Sequence, residues 1–263
     1  MRYIPKIIHL IWFGRNPYSP IVEKCINSWH KYCPDYEIML WNEDSFDVNS
    51  NTFVKEAYES KKWAFVSDYV RLYALINYGG VYIDSDVELL KPIDDILEDR
   101  HVVTGYSSSI WIPTGLMASE KDNKWIKGLL NYYSDRHFIL PDGTFDMKVN
   151  NAIITELSIK QFGFKPGDMK IQYGDVSLFP RDYFHPYPKT SIDFNKVDIE
   201  KAYKVFKLTK NSYCIHYGTA TWVKNRNSFG YRVKRFVRKC LPECVVNVLE
   251  RFFFKFHKWN RVK

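Results

Sequence analysis

Apolar residues recur at helical spacing from Trp63 to Ile76, and the pattern breaks at Gly79-Gly80 before the unbroken apolar run Val81-Tyr82-Ile83. The first part predicts a helix. Phe65, Val66, Tyr69, Val70, Leu72, Tyr73 and Ile76 supply the period, with no proline and few β-branched residues to oppose it. The two glycines stand where a helix needs a residue tolerant of positive φ in order to end. Val81-Tyr82-Ile83 has the composition of a buried strand, and Asp84-Ser85-Asp86 follows at its end.

The same reading, carried along the chain, predicts a first buried strand over Ile4–Gly14, a loop at Asn16–Pro20 and a helix over Val22–Tyr32 that stops before Pro34. Glu37–Trp41 (EIMLW) is a second strand, and Phe53–Ser60 a short helix. Strand, helix, strand, helix, strand in this order predicts an α/β domain with a mainly parallel sheet. Ligands in such sheets bind beyond the carboxyl ends of the strands, where Trp12, Trp41 and the Asp84/Asp86 pair fall. The pattern is mixed after Pro92. Strands are predicted at His101–Tyr106, Gly115–Ser119 and Cys214–His216, and helices over Lys124–Tyr133 and from Asn150. Ile139–Thr144, the aromatic proline-bounded stretch Phe179–Pro186, and Tyr217–Trp222 read as loops.

Two features of the central stretch carry chemistry. At 100° per residue, Ala64, Ser67, Asp68, Arg71 and Leu75 share one side of a helix that is otherwise almost entirely apolar. A helix of that kind is buried, so Asp68 and Arg71 should line a cleft. The alternative is an exposed pair bracing the helix by about 0.2–0.5 kcal/mol. Asp84 and Asp86, read as positions i and i+2 of an extended segment, point to one side together with Tyr82. Like charges this close call for a cation or a proton between them. A hard divalent cation bound by a few carboxylates, with substrate phosphates completing its shell, fits the arrangement. An Asp-x-Asp by itself is common on surface turns; its place after a buried strand gives it weight.

Composition narrows the setting. A chain of 263 residues with 46% hydrophobic and 17% aromatic residues can bury a sizeable core. It has no apolar run long enough to span a bilayer, and its start does not read as a signal peptide. Five cysteines without zinc-site spacing are expected as reduced thiols in a cytoplasmic setting. The basic charge is uneven: residues 224–263 carry 12 Lys+Arg and 2 Asp+Glu, a net +10 against +8 for the whole chain, which leaves −2 for residues 1–223. We therefore expect a domain over 1–223 and a basic amphipathic helical tail over 224–263. A near-neutral body argues against nucleic acid as a partner. The tail, rich in Phe, Val, Lys and Arg, suits an anionic membrane surface; a helical cap on the domain and a nucleic-acid arm are the competing readings.

The block SDYVRLYALINYGGVYIDSDV resembles the DxD signature of glycosyltransferase family 32, retaining sugar-nucleotide transferases that include capsule and lipopolysaccharide enzymes and yeast mannosyltransferases and are related to glucosylating clostridial toxins. IPKIIHLIWFG and HYGTATW are similar to that family's opening and closing segments, in the same order, over roughly residues 4–222. The resemblance implies a GT-A fold (a mainly parallel mixed sheet flanked by helices), a Mn²⁺ or Mg²⁺ ion, and a nucleotide-sugar donor, UDP-sugar before GDP-sugar. It implies a hexosyltransferase acting on a glycan or lipid-linked glycan, for surface polysaccharide synthesis; the thiols and the basic tail add a cytoplasmic location, peripheral on the inner face of the membrane. By resemblance Trp12 stacks on the base, Asp68 and Arg71 hold sugar hydroxyls and a phosphate, Tyr82 and Asp84 lie on the ribose and sugar side, and Asp86 ligates the metal. His216 is a further metal or phosphate contact, although the toxins use a carboxylate there, and a buried structural histidine is the alternative. Thr221 and Trp222 would close over the diphosphate. Asp142, Asp146, Asn150 and Asn151 fall in the acceptor region without assigned roles. A pseudoenzyme that binds carbohydrate or nucleotide-sugar, and a metal-dependent nucleotidyl- or phosphotransferase, are the alternatives to a sugar transferase.

Overall fold

The computed structural model describes residues 3–165, 167–188 and 199–218. The predicted tail and both Thr221 and Trp222 lie outside the described residues. In chain order the elements are β1 (Ile7–Ile11), α1 (Pro20–Tyr32), β2 (Glu37–Trp41), α2 (Thr52–Glu59), α3 (Trp63–Tyr78), β3 (Gly80–Ile83), β4 (Val87–Leu89), α4 (Asp94–Leu97), β5 (Val102–Gly105) and β6 (Leu116–Ser119). They continue with α5 (Lys124–Asn131), α6 (Asn150–Phe162), β7 (Ile171–Tyr173), β8 (Val176–Phe179), α7 (Arg181–Phe184) and β9 (Cys214–His216).

Seven strands form one sheet in the order β2-β1-β3-β6-β5-β8-β7. β2, β1 and β3 are mutually parallel, as are β5 and β8, while β6 and β7 run against their neighbours. Five strands thus share one direction, which is the mainly parallel mixed α/β sheet expected. A separate ladder pairs β4 with β9 in antiparallel register, Val87 opposite His216 and Leu89 opposite Cys214. That register sets the end of the described chain against the residue that follows Asp86.

Helix α3 is buried on nearly all sides, as its sequence predicts: Phe65, Val66, Val70, Leu72, Ala74, Leu75 and Ile76 are all inaccessible or nearly so. Gly79 ends it at φ +66°, and Gly80 follows at φ +99°; a Cβ on Gly80 would approach the Ile7 carbonyl oxygen to 2.7 Å. Only glycine permits both the turn and the approach of β3 to β1. On the opposite face of the sheet, α1 fixes β4 directly. Trp29 Nε1 donates to the Val87 carbonyl at 2.8 Å, and the Leu89 N–H donates to Ser28 Oγ at 2.9 Å. The turn carrying Asp84 and Asp86 is therefore held at both ends, by the sheet before it and by α1 after it.

His9 closes the junction of β1, β2 and α3. Trp41 Nε1 can only donate, so His9 Nδ1 accepts (3.1 Å) and His9 Nε2–H donates to the Gly79 carbonyl (2.6 Å). Burial holds this imidazole neutral, its pKa lowered to about 4. Trp41, at a strand end, is buried against Phe46, Tyr73 and Tyr78 and belongs to the core.

The second half departs from the expected pattern in small elements. The stretch Phe179–Pro186 is not all loop: Phe179 ends β8 and Arg181–Phe184 form a helical turn. Strands β4, β7 and β8 and helix α4, each of three or four residues, are too short to display a period. The β7–β8 hairpin turns at Gly174, φ +55°.

Candidate active site

Asp84 and Asp86 sit on a turn and not on an extended strand. The Asp84 N–H donates to the Gly115 carbonyl at 2.8 Å, continuing the β3–β6 ladder, and the Val87 N–H donates back to the Asp84 carbonyl at 2.9 Å. The turn corrects the i, i+2 extended geometry but preserves its consequence, because both carboxylates still converge. His216, delivered by the β4–β9 register, faces them: its Nε2 lies 3.1 Å from Asp86 Oδ1 and 3.6 Å from Asp84 Oδ2. Candidate ligand atoms of Asp84, Asp86 and His216 all fall within 4.8 Å of one another. Burial opposes the imidazolium of His216, but the charge and hydrogen bond of Asp86, then Asp84, outweigh it and raise its pKa to about 9.

Behind the turn, Arg71 joins three segments of chain. Its Nη2 is 2.9 Å from Asp68 Oδ1 and 3.4 Å from Ser67 Oγ; its Nη1 is 3.3 Å from Asp84 Oδ1 and 3.2 Å from the Thr114 carbonyl; its Nε donates to the Ser67 carbonyl at 3.1 Å. Every guanidinium nitrogen already has an acceptor in the protein, and Arg71 Cζ lies over the Tyr82 ring, 4.5 Å from its centroid. The Tyr82 hydroxyl donates to Asp84 Oδ1. Burial raises the phenol of Tyr82 well above its ordinary range. Burial also raises Asp68 to about 6, against the pull of Arg71. Asn150 at the start of α6 donates to Asp68 Oδ1 at 3.0 Å and accepts from the Tyr133 hydroxyl at 3.3 Å.

Asp68, Arg71, Tyr82, Asp84, Asp86 and His216 thus form one connected network. Trp12 stands apart from it, half-buried beyond the end of β1, with Nε1 donating to the Asn16 carbonyl at 2.7 Å and its ring edge-on to Tyr18 at 5.0 Å. It lines a pocket of about 330 Å³ with Asn16, Tyr18, Leu40, Asn42 and Glu43. Of the four polar residues left without roles, Asn150 reaches Asp68, and Asn151 approaches Thr114 Oγ1 at 3.5 Å. The other two are structural: Asp142 caps the turn at Thr144, and Asp146 pairs with Arg136. Gly115 and His185 were not singled out from the sequence. A Cβ on Gly115 would come within 2.8 Å of His216 Nδ1, and His185 Nε2 lies 3.0 Å from that same atom. An unassigned histidine inside the proline-bounded Phe179–Pro186 stretch was the available signal.

Residues 19–103 match the family model described as a glycosyltransferase sugar-binding region containing a DXD motif. That stretch of the chain is therefore similar to the sugar-binding region of DXD-containing glycosyltransferases. That region runs from the start of α1 into β5 and holds Asp68, Arg71, Tyr82, Asp84 and Asp86; Trp12, His185 and His216 lie outside it. Inositol phosphoceramide mannosyltransferase 3 of Schizosaccharomyces pombe is 34% identical over 102 residues, covering 36% of this chain and 27% of that protein. Mannosyl phosphorylinositol ceramide synthase CSH1 of Saccharomyces cerevisiae is 32% identical over 106 residues, 36% of this chain and 26% of that protein. The likeness therefore spans about a quarter of the length of these curated relatives. Among solved structures, the galactosyltransferase LgtC in complex with donor and acceptor sugar analogs is similar at 12% identity and a TM-score of 0.46, over 86% of this chain and 93% of that one. A glycosyltransferase involved in glycosylation of the major capsid of PBCV-1 is similar at 17% identity and a TM-score of 0.43, over 81% and 93%.

Proposed function

We propose that the protein is a divalent-metal-dependent, retaining glycosyltransferase that moves a sugar from a nucleotide-sugar to a glycan or lipid-linked glycan acceptor. The observation that carries this reading is the convergence of Asp84, Asp86 and His216 Nε2 at the DXD turn of a sugar-binding region. Two carboxylates and an imidazole form a donor set suited to Mn²⁺ or Mg²⁺, with positions left for phosphate oxygens. When bound, the cation neutralises the charge that grows on the departing diphosphate.

The chain's own residues do the rest. Asp86 and His216 hold the cation side of the site. Arg71, with its donors already engaged, fixes Asp68 and Asp84 in place and adds positive potential behind them. Asp68, held by Arg71 and Asn150, is the acceptor for sugar hydroxyls, and Tyr82 sets the orientation of Asp84. Trp12 offers a flat face to a nucleobase in its pocket, and UDP is the first nucleotide to test. Outside the described residues, Thr221 and Trp222 would close over the diphosphate. Retention is assigned to same-face attack, in which the acceptor hydroxyl passes its proton to the leaving phosphate. Trapping of a glycosyl-enzyme adduct would overturn that assignment.

An amphiphilic acceptor is supported by two features. The relatives' names place mannose and ceramide lipids in their reactions. In addition, five of the eleven large apolar side chains exposed among the described residues (Ile139, Leu140, Phe145, Met147 and Val149) lie just before Asn150. No described helix is long and apolar enough to cross a membrane. We assign lipid contact to the basic tail and place the enzyme at the inner, cytoplasmic membrane face. Full-length chain should pellet with anionic liposomes and a 1–223 truncation should not; equal pelleting rejects the assignment.

The direct experiment is a panel of UDP- and GDP-sugars, mannose included, scored for hydrolysis and thermal shift with Mn²⁺, with Mg²⁺ and in EDTA. One donor should give free sugar only with metal, and Asp86→Ala should abolish this without lowering Tm. Undiminished turnover in EDTA, or an active Asp86→Ala enzyme, removes the metal-dependent reading.

A further inference from the structure

We infer that His185 is a positioning residue for the metal site, holding His216 in the tautomer and ring orientation that present its Nε2 to the cation. The inference rests on the proposed ligand role of His216. A histidine that binds metal through Nε2 must carry its proton on Nδ1, and that N–H needs an acceptor to fix the ring. Among the described residues no carboxylate or carbonyl fills this role for His216. The atom in reach is His185 Nε2, at 3.0 Å, with the two ring planes at 76°. Both rings can carry a proton, so one hydrogen bond sets the tautomers of both. With Nδ1–H of His216 donating, His185 accepts at Nε2 and carries its own proton at Nδ1.

Three observations indicate that this contact is built for a purpose. First, His185 Nδ1 is buried and has no hydrogen-bond partner among the described residues, a cost that a packing histidine would not incur. Second, the chain clears space for the bond: a Cβ on Gly115 would lie 2.8 Å from His216 Nδ1 and 3.3 Å from His185 Nε2. Third, the backbone around His185 is tied to the strand that carries His216. The His185 N–H donates to the Arg181 carbonyl at 2.7 Å, Arg181 Nε donates to the His185 carbonyl at 2.8 Å, and the Tyr213 N–H donates to the Tyr183 carbonyl at 2.8 Å. A displacement of α7 would therefore be felt at β9 and at His216.

The test is Mn²⁺ affinity of the full chain, read from the free-ion EPR signal, so that it does not depend on turnover. His185→Phe keeps a ring but loses the acceptor and should weaken Mn²⁺ binding about 10- to 100-fold with Tm little changed. His185→Gln, whose amide oxygen can accept from Nδ1–H, should recover most of the affinity. Gly115→Ala, which intrudes on the same hydrogen bond from another element, should weaken binding in the same direction and carries the test if His185→Phe does not fold. Wild-type affinity in His185→Phe overturns the inference while leaving the metal site intact, provided Asp86→Ala has lost binding. Wild-type affinity in His216→Ala, or no Mn²⁺ binding by the wild type, removes the metal reading itself and the inference with it.

Discussion

The two sides of the DXD turn are built differently. On the Arg71 side, every guanidinium nitrogen is matched by Asp68, Asp84, Ser67 or Thr114, and the group is stacked on Tyr82. On the His216 side, one imidazole faces two carboxylates and rests on a second imidazole, one nitrogen of which is buried and has no partner among the described residues. The Arg71 side is complete without a ligand. The His216 side gathers candidate ligand atoms of Asp84, Asp86 and His216 within 4.8 Å of one another, and a divalent cation would take the place of the His216 proton there. A scaffold that holds the carboxylates rigid on one side leaves the other to an ionisable imidazole, a group that can exchange its proton for a cation.

The sharpest way to break this contrast is Arg71→Ala. Removing a buried cation takes the guanidinium away from Asp68 and Asp84, and we expect a loss of about 3–5 kcal/mol in urea unfolding. A loss below about 1 kcal/mol would mean that the Arg71 side is not the structural one. His9 provides a comparison away from both sides, being buried, neutral and without a carboxylate. Its pKa is lowered by burial from 6.5 to about 4. The native state resists protonation more than the unfolded chain does, so its contribution is intact above pH 6.5 and is lost as pH falls toward 4. At about 1.4 kcal/mol per unit this comes to roughly 3 kcal/mol. Stability should therefore decline across that window in the wild type and decline less in His9→Gln; parallel curves would remove His9 from the account. The smallest effect belongs to Trp12→Ala, since a stacked base contributes about 1–3 kcal/mol. It should raise the KM for donor roughly tenfold, with stability and Mn²⁺ affinity unchanged, and an unaltered KM would separate the Trp12 pocket from the site.

The Arg71 side was largely legible in the sequence because its members are local. Asp68 and Arg71 are one helical turn apart, the glycine pair ends that helix, and the carboxylates follow a four-residue strand. Even so, the turn at Asp84 was not visible, because it is closed by the Val87 N–H and by the Gly115 carbonyl on a neighbouring strand. The His216 side was legible only in part. Its strand could be read from Cys214-Ile215-His216, but the partner strand Val87–Leu89 has three residues and no period. The pairing that sets His216 opposite Val87 is a contact between distant parts of the chain, which no local pattern encodes. His185 and Gly115 matter only through that pairing. Trp12 follows the end of β1 and Trp41 ends β2, yet Trp12 lines a pocket while Trp41 is drawn into the core by the acceptor nitrogen of His9.

The central claim is that Asp84, Asp86 and His216 hold a divalent cation that in turn holds a nucleoside diphosphate. Calorimetric titration of UDP and of GDP into the full chain, with Mn²⁺ and then with EDTA, tests it most directly. One nucleotide should bind with Mn²⁺ present and lose at least about tenfold in affinity in EDTA, a difference of about 1.4 kcal/mol. Equal affinity with and without the metal would contradict the account.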